Sequence, residues 1–211
     1  MPFLKKITPR FGTIAIWELN EPARELAKHC MLNQKEQQLF STFKAEKRQK
    51  EFLSTRLLLQ NVLSGNLEIV YETPSGKPLL KDSNLNISIT HSSNMVAIYL
   101  SEKVIGIDID RIDRNIDKVI PRFATPSEMK WIKNNDQPQL IKMLLWCAKE
   151  AIYKCSGIQG IQFNEQIIID PFDCTSERTF SGSLIHPSGT VKYRLKHHII
   201  QNNVLVYCVQ Q

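Results

Sequence analysis

The hydrophobic pattern of this chain changes period four times along its 211 residues, and this alternation limits the folds that it can adopt. Residues 13–19 alternate as in a strand, residues 22–63 have helical spacing, and residues 67–110 return to strands. A second helical block covers residues 125–155, and the tail from residue 167 is again strand-like. Blocks of the two periods that are segregated in this way are typical of an α+β fold, so we expect two α+β halves.

Local signals predict where several helices begin and end. Asn33 and Thr125 are predicted N-caps, and the second of these is followed by proline and then by glutamate at the capping-box position. A basic helix is predicted over residues 46–63, and the strongest helix is predicted over residues 139–155. Gly157 is expected to end that helix.

Three successive strands are predicted over residues 86–90, 95–100 and 104–110. Because the joins between them are short, the sequence favours an antiparallel meander. The change of pattern places the boundary between the two halves near residue 103, which gives an N-terminal domain of residues 1–103 and a C-terminal domain of residues 104–211.

Composition and charge restrict the class of protein. Hydrophobic residues make up 42% of the chain and charged residues 23%, which is ordinary for a folded domain. The net charge of +6 favours an anionic partner such as a nucleotide cofactor, nucleic acid or an acidic protein, without choosing among them. The five cysteines form no Cys-x-x-Cys pair, a signal-peptide core is absent and no apolar run approaches the length of a membrane span, so we expect a cytoplasmic protein.

The strand-like segment at residues 106–110 places two carboxylates on one face. Because side chains of a strand alternate, its isoleucines are expected in a core, and Gly106, Asp108 and Asp110 on the opposite face. Two neighbouring carboxylates repel each other unless a cation lies between them, and carboxylate oxygens are ligands that Mg²⁺ prefers. A magnesium site and a solvated strand face are both compatible with this segment.

The strongest predicted helix carries Glu150 and Lys154 four residues apart, hence on one face. An ordinary surface ion pair is one interpretation of this spacing. In the functional interpretation, Glu150 completes a three-carboxylate metal site with Asp108 and Asp110, and Lys154 binds a phosphate oxygen.

Two other positions indicate an anion site. His91 follows a predicted strand and is placed in a turn near Ser88, where several hydroxyl groups could donate hydrogen bonds to a phosphate or serve the turn alone. Arg56 shares the apolar spacing of its helix, and an arginine that points inward needs an anion.

Taken together, these segments resemble the 4′-phosphopantetheinyl transferases, in particular the long, monomeric type that activates peptide and polyketide synthases. The resemblance covers residues 47–154 and rests above all on the aspartate strand and on the Trp-x-x-Lys-Glu-Ala-x-x-Lys helix. The matching segments are the basic stretch that ends at Arg56, Ser75-Gly76-Lys77-Pro78, residues 86–92, residues 106–110, residues 123–128 and residues 146–154.

The resemblance implies a pseudo-duplicated fold of two similar α+β halves, each an antiparallel sheet packed with helices, in a monomer. It implies transfer of the phosphopantetheine arm of coenzyme A to a serine hydroxyl of an apo acyl or peptidyl carrier protein, with Mg²⁺, and release of adenosine 3′,5′-bisphosphate. The carrier would serve fatty-acid, polyketide or nonribosomal peptide biosynthesis, and nucleic acid would not be a partner.

The resemblance also implies roles for individual residues. Magnesium would be held by Asp108, Asp110 and Glu150, and the catalytic residues would be Glu150, Asp108 and Lys154. Glu150 is the favoured base for the serine hydroxyl. The coenzyme A site would be formed by Lys47, Arg56, Lys77, Ser88, His91 and Lys154.

Two acidic positions need separate comment. The second acid of the strand is often glutamate in this type of enzyme and is Asp110 here, which is one methylene shorter, so a bridging water is an alternative to direct ligation. Glu128 matches an acid of the family, but its capping-box position also explains it structurally.

Two alternative functions use the same features. A metal-dependent nuclease also needs acids and a lysine, and the positive charge would suit DNA. The Gly-Lys-Pro turn would have no role in a nuclease. The second alternative is a non-catalytic basic module that docks on an acidic protein. The first alternative predicts DNA cleavage with magnesium, and the second predicts that Asp108→Ala has no effect.

Overall fold

The computed structural model describes residues 3–63, 67–175 and 179–211, so a few positions of both predicted domains lie outside it. The strands are β1 (Phe3–Ile7), β2 (Thr13–Glu18), β3 (Ile69–Tyr71), β4 (Pro78–Leu80), β5 (Asn86–His91), β6 (Met95–Ser101), β7 (Ile105–Arg111), β8 (Ile167–Ile169), β9 (Phe180–His186), β10 (Gly189–Ile200) and β11 (Asn203–Gln210). The helices are α1 (Ala23–His29), α2 (Gln34–Ser41), α3 (Glu46–Val62), α4 (Ile120–Phe123), α5 (Pro126–Lys133), α6 (Pro138–Ser156) and α7 (Phe163–Gln166).

The strands form two sheets with only antiparallel neighbours. The first sheet has the order β1-β2-β6-β5-β4-β3 and the second has the order β7-β11-β10-β9-β8. Each sheet is packed with helices, α1 and α3 on the first and chiefly α6 on the second. This confirms the α+β class and the two similar halves.

Alternation along the strands builds three hydrophobic layers. On β2, Ala15 and Trp17 face α3, whereas Ile14 and Ile16 face the second sheet. The isoleucines of β7 lie in this central layer between the sheets, as the sequence predicts. The opposite face of the second sheet buries the apolar stripe of α6. The molecule is therefore a stack of helices, sheet, sheet and helices.

Predicted helix ends are confirmed where a local signal specifies them. Asn33 and Thr125 each cap a helix with a reciprocal capping box, closed by Glu36 and Glu128 respectively. Gly157 follows α6 with a left-handed backbone (φ 66°), a conformation that glycine adopts without steric cost.

The predicted three-strand meander is wrong at its third strand. β5 and β6 form an antiparallel pair, but β7 pairs with β11 near the end of the chain and belongs to the second sheet. Two hydroxyls of β5 hold β7 across the gap between the sheets: Ser88 Oγ accepts from Ile107 N at 3.2 Å, and Thr90 Oγ1 accepts from Ile109 N at 3.1 Å. The short segment between β6 and β7 thus leads from the first sheet to the second and does not join two neighbouring strands of one sheet.

Gly106 lets β7 lie directly against α6. A Cβ atom at this position would be 1.9 Å from the carbonyl oxygen of Ala151 and 2.9 Å from the amide nitrogen of Cys155. Since both atoms belong to the backbone of α6, a larger side chain would push the helix away from the strand. The glycine therefore fixes the distance between the two elements that carry the predicted carboxylates.

The division into domains of residues 1–103 and 104–211 stays a prediction.

Within the described part of the chain, no helix has the length and apolar character needed to cross a bilayer.

Candidate active site

A cavity of about 320 Å³ lies between α3, β5, the turn before β4 and the C-terminal end of α6. Five of the predicted site residues line it: Arg56, Lys77, Ser88, His91 and Lys154. Apolar and aromatic side chains complete the wall, among them Phe52, Ile87, Tyr153 and Ile158. The cavity thus combines cationic groups with apolar surface and is of a size that binds small ligands.

Lys154 joins this cavity to the aspartate strand. Its ammonium group lies 2.7 Å from Asp108 Oδ1 and also donates to the carbonyl oxygen of Ile107 at 3.3 Å. The same Asp108 oxygen accepts a hydrogen bond from Thr90 Oγ1 at 2.9 Å. Asp108 is 7% exposed, so its charge is compensated where it is largely removed from water.

Asp110 has different partners. Its Oδ2 atom forms an ion pair with Arg114, and its Oδ1 atom accepts from the backbone nitrogen of Arg111 at 2.8 Å. Arg114 is half exposed and its guanidinium lies 5.8 Å from the centre of the Trp146 ring. Arg114 was not predicted from the sequence as a site residue.

Glu150 carries the most perturbed carboxylate of the site. Burial raises the pKa of Glu150 to about 7, and the negative charge of Asp108 adds to this effect. Lys154 and Arg114 oppose the increase. Among the described residues, the Glu150 carboxylate has no hydrogen-bond or ion-pair partner.

The three predicted metal ligands are neighbours but are not arranged as a finished metal site. Within the described ranges, no group of three or more His, Cys, Asp and Glu side chains is placed to hold a metal ion. Asp108 and Asp110 instead pair with Lys154 and Arg114. The donor set still fits a hard cation, because it offers only carboxylate oxygens and Glu150 is unpaired.

His91 is the last residue of β5, which confirms its predicted place at a strand end, although the residue belongs to the strand and not to the turn. Its Nδ1 atom lies 3.3 Å from Glu51 Oε1. Burial lowers the pKa of His91, Glu51 opposes this shift, and Lys154 contributes to it. His91 therefore faces the cavity with an acid on one side and cations nearby.

Two other predicted ligand residues also hold the fold together. Ser88 binds the backbone of β7, and Lys77 Nζ donates to the carbonyl oxygen of Cys155 at 3.3 Å. Lys77 therefore lies at the C-terminal end of α6, where a cation is favourable. Its side chain remains part of the cavity wall.

The basic helix α3 places Arg56 and Lys47 in different surroundings. Arg56 is 4% exposed, pairs with Glu36 at 3.0 Å and has its guanidinium 3.5 Å from the centre of the Phe52 ring. The anion that an inward arginine needs is thus supplied by the chain itself. Lys47 is exposed, lies 3.8 Å from Glu51 and is not among the residues that line the cavity.

Glu128 serves the structure of the second half. Both of its carboxylate oxygens accept backbone hydrogen bonds, from Thr125 N at 2.8 Å and from Ile169 N at 3.0 Å. Its Oε2 atom also lies 2.7 Å from Lys149 Nζ, and both side chains are buried. Burial lowers the pKa of Lys149, and Glu128 opposes this shift. These contacts favour a structural role for Glu128.

Sequence reasoning missed several residues of the cavity. Arg48, Glu51, Thr55, Tyr153 and Gln159 line it in addition to the predicted residues. Helical spacing could have grouped the first three, because Arg48, Glu51 and Thr55 are three and four residues apart and share one face of α3. No local signal marks Gln159, whose side chain reaches the carbonyl oxygen of Pro74 at 2.7 Å.

Comparison with known proteins gives a consistent result. Residues 104–208 match the model of the 4′-phosphopantetheinyl transferase superfamily. A protein of Haemophilus influenzae whose name marks it as a candidate 4′-phosphopantetheinyl transferase is 29% identical over 98 residues, 43% of this chain and 41% of that protein. The 4′-phosphopantetheinyl transferase gsp of Aneurinibacillus migulanus is 29% identical over 110 residues, 51% of this chain and 46% of its own length.

The uncharacterized protein YieE of Escherichia coli K12 is 27% identical over 127 residues, 52% of this chain and 49% of that protein. The chain therefore spans less than half the length of these curated relatives. On the family match and the fold, the chain belongs to the 4′-phosphopantetheinyl transferase superfamily.

Proposed function

We propose that this chain transfers the 4′-phosphopantetheine arm of coenzyme A to a serine hydroxyl of an acyl or peptidyl carrier protein and releases adenosine 3′,5′-bisphosphate. The observation that carries the proposal is the cavity, whose cationic wall meets the carboxylates of β7 and α6 at Lys154. A substrate with several phosphates and a reacting hydroxyl needs both groups in one place.

The cavity wall provides the groups that would bind coenzyme A. Lys77, His91, Lys154 and the guanidinium groups of Arg48 and Arg56 surround the space and would meet phosphate oxygens. The proposal for Arg56 is limited by its pair with Glu36, which already engages one of its donors. Lys47 does not line the cavity, so we propose only that its charge adds to the positive electrostatic potential near the site.

Asp108 and Glu150 are the residues that we propose to hold Mg²⁺, with Asp110 as a third acid. When bound, Mg²⁺ would neutralise charge on the pyrophosphate. Lys154 donates a hydrogen bond to Asp108 Oδ1 and is therefore placed to bind a phosphate oxygen next to the proposed metal site.

Glu150 is the proposed base for the serine hydroxyl. A general base is most effective when its pKa lies near the working pH, and the environment raises the pKa of Glu150 to about 7. Its carboxylate is half buried and unpaired among the described residues, so it is free to accept a proton. The carrier protein would supply the acidic surface that suits the net charge of +6.

The decisive experiment is intact-mass spectrometry of an apo carrier protein after incubation with this chain, coenzyme A and Mg²⁺. We expect the carrier to gain one phosphopantetheine group, and to gain none with Asp108→Ala or Glu150→Ala or in excess chelator. Asp113→Ala is the matched control, because Asp113 is an exposed acid near β7 that pairs with Arg111. No gain of mass with carriers of all three pathways would overturn the proposal, and DNA cleavage with Mg²⁺ would replace it by the nuclease.

A further inference from the structure

The three acids of the candidate metal site differ in how many of their carboxylate oxygens already have partners within the chain. Glu150 has no partner among the described residues. Asp108 uses its Oδ1 atom for Thr90 and Lys154 and has the Cys147 thiol as a further hydrogen-bonding neighbour. Asp110 has both oxygens engaged, one by the Arg114 guanidinium and one by a backbone amide. The charge of the second acid of the strand is thus compensated by Arg114.

The geometry of Arg114 allows it to be displaced. Its side chain is half exposed and follows Asp110 by four residues, in the segment after β7. The guanidinium also lies over the Trp146 ring, so the arginine keeps a neighbour when it leaves Asp110. The pair is accessible from its cationic side, because the Arg114 side chain is 50% exposed while Asp110 is 13% exposed, and an exposed partner keeps an ion pair weak.

We propose that Arg114 is a positioning residue that competes with the divalent cation for Asp110. Arg114 pairs with Asp110 Oδ2 and the backbone amide of Arg111 with Oδ1, so neither oxygen of this carboxylate is without a partner. Binding of the cation with three acids then requires that the arginine be displaced towards Trp146. This inference rests on the metal site of the proposed function.

The test is a titration of the whole chain with Mn²⁺ as the probe, in which the free ion is measured by electron paramagnetic resonance. Arg114→Gln should bind Mn²⁺ roughly three- to tenfold more tightly than the wild type, because the competing pair is lost. In a background of Asp110→Asn the same substitution should have a clearly smaller effect, because the carboxylate for which the two cations compete is absent and only the attraction between Arg114 and Glu150 remains. Thermal unfolding of each variant establishes that it is folded.

The control must remove a positive charge without freeing Asp110. Arg111→Gln does so, because the Arg111 side chain pairs with Asp113 and only its backbone amide meets Asp110. We expect its Mn²⁺ affinity to stay within about twofold of the wild type, since exposed charges are strongly screened. Equal effects of Arg111→Gln and Arg114→Gln, or an undiminished effect of Arg114→Gln with Asp110→Asn, would overturn the inference.

Glu150→Ala separates this inference from the proposed function. If the wild type binds Mn²⁺ and Glu150→Ala does not, the proposed metal site stands, and an absent Arg114 effect overturns only the competition. If no variant binds Mn²⁺, both the metal site and the competition are wrong.

Discussion

At the scale of single residues, Lys154 connects the cavity to the acids, because it lines the cavity and lies 2.7 Å from Asp108. Lys154→Ala should raise the KM for coenzyme A roughly tenfold or more, since a charge-assisted contact to a phosphate is lost. Steady-state kinetics with varied coenzyme A measures this. Lys142→Ala, which removes a lysine of the same helix that pairs with Asp117, should leave KM unchanged. An unaltered KM in Lys154→Ala would mean that the lysine only neutralises Asp108.

A substitution at Glu128 tests whether this buried acid stabilises the fold or takes part in catalysis. Glu128→Gln leaves the Lys149 charge buried without its counter-ion, so we expect the free energy of unfolding to fall by about 3–5 kcal/mol. Urea denaturation measures this loss, and the rate per folded molecule should be retained. Lys28→Ala, which breaks an exposed pair, should not change the urea midpoint. A stable Glu128→Gln protein without activity would instead give Glu128 a catalytic role.

Residue types alone predicted part of the site. The aspartates, Glu150 and Lys154 were identified because their spacing determines a shared face within one strand or one helix. Their partners were not identified: Glu36 lies on another helix than Arg56, and the Asp110–Arg114 pair depends on how the chain leaves β7. The sequence prediction includes Lys47, whereas the structure has Arg48 in the cavity wall and Lys47 outside it.

At the scale of elements, the contact between β7 and α6 depends on Gly106. Gly106→Ala should destabilise the protein by about 1–3 kcal/mol and reduce transfer, because the added carbon meets backbone atoms and must displace α6 from the acids. Gly182→Ala is the matched control on a strand of the same sheet. Its Cβ would meet mainly the terminal carbon atoms of Ile152 and Ile169, which can move.

Chemical denaturation and transfer assays compare the two glycine variants. Gly106→Ala should lose more stability and more activity than Gly182→Ala. Equal losses would show that the close approach at Gly106 is not what positions the acids.

Elements with local signals were predicted better than their pairing. The capping boxes at Asn33 and Thr125 close within three residues, so the sequence specifies them directly. The pairing of β7 with β11 joins segments almost a hundred residues apart, and the short join before β7 favoured the wrong neighbour. Long-range pairing is decided by which buried faces fit together, and the local pattern does not contain that information.

At the scale of the whole molecule, the cavity lies where the two halves meet. Its wall combines α3 and β5 of the first half with the end of α6 from the second. Two contacts tie the halves together beside it: Lys77 with the carbonyl oxygen of Cys155, and Gln159 with that of Pro74. A ligand in this cavity should therefore stabilise both halves together rather than one of them.

Hydrogen exchange can test this coupling. Coenzyme A should slow amide exchange both in residues 72–78 of the first half and in residues 156–160 of the second, because a ligand that binds only the folded state opposes local opening around its site. The hairpin of β9 and β10 lies outside the cavity wall and should exchange as before. Pantetheine, which lacks the phosphates, should give little protection, because the cationic wall would have no anion to bind. Protection that is confined to one half would mean that the cavity does not join the halves through its ligand.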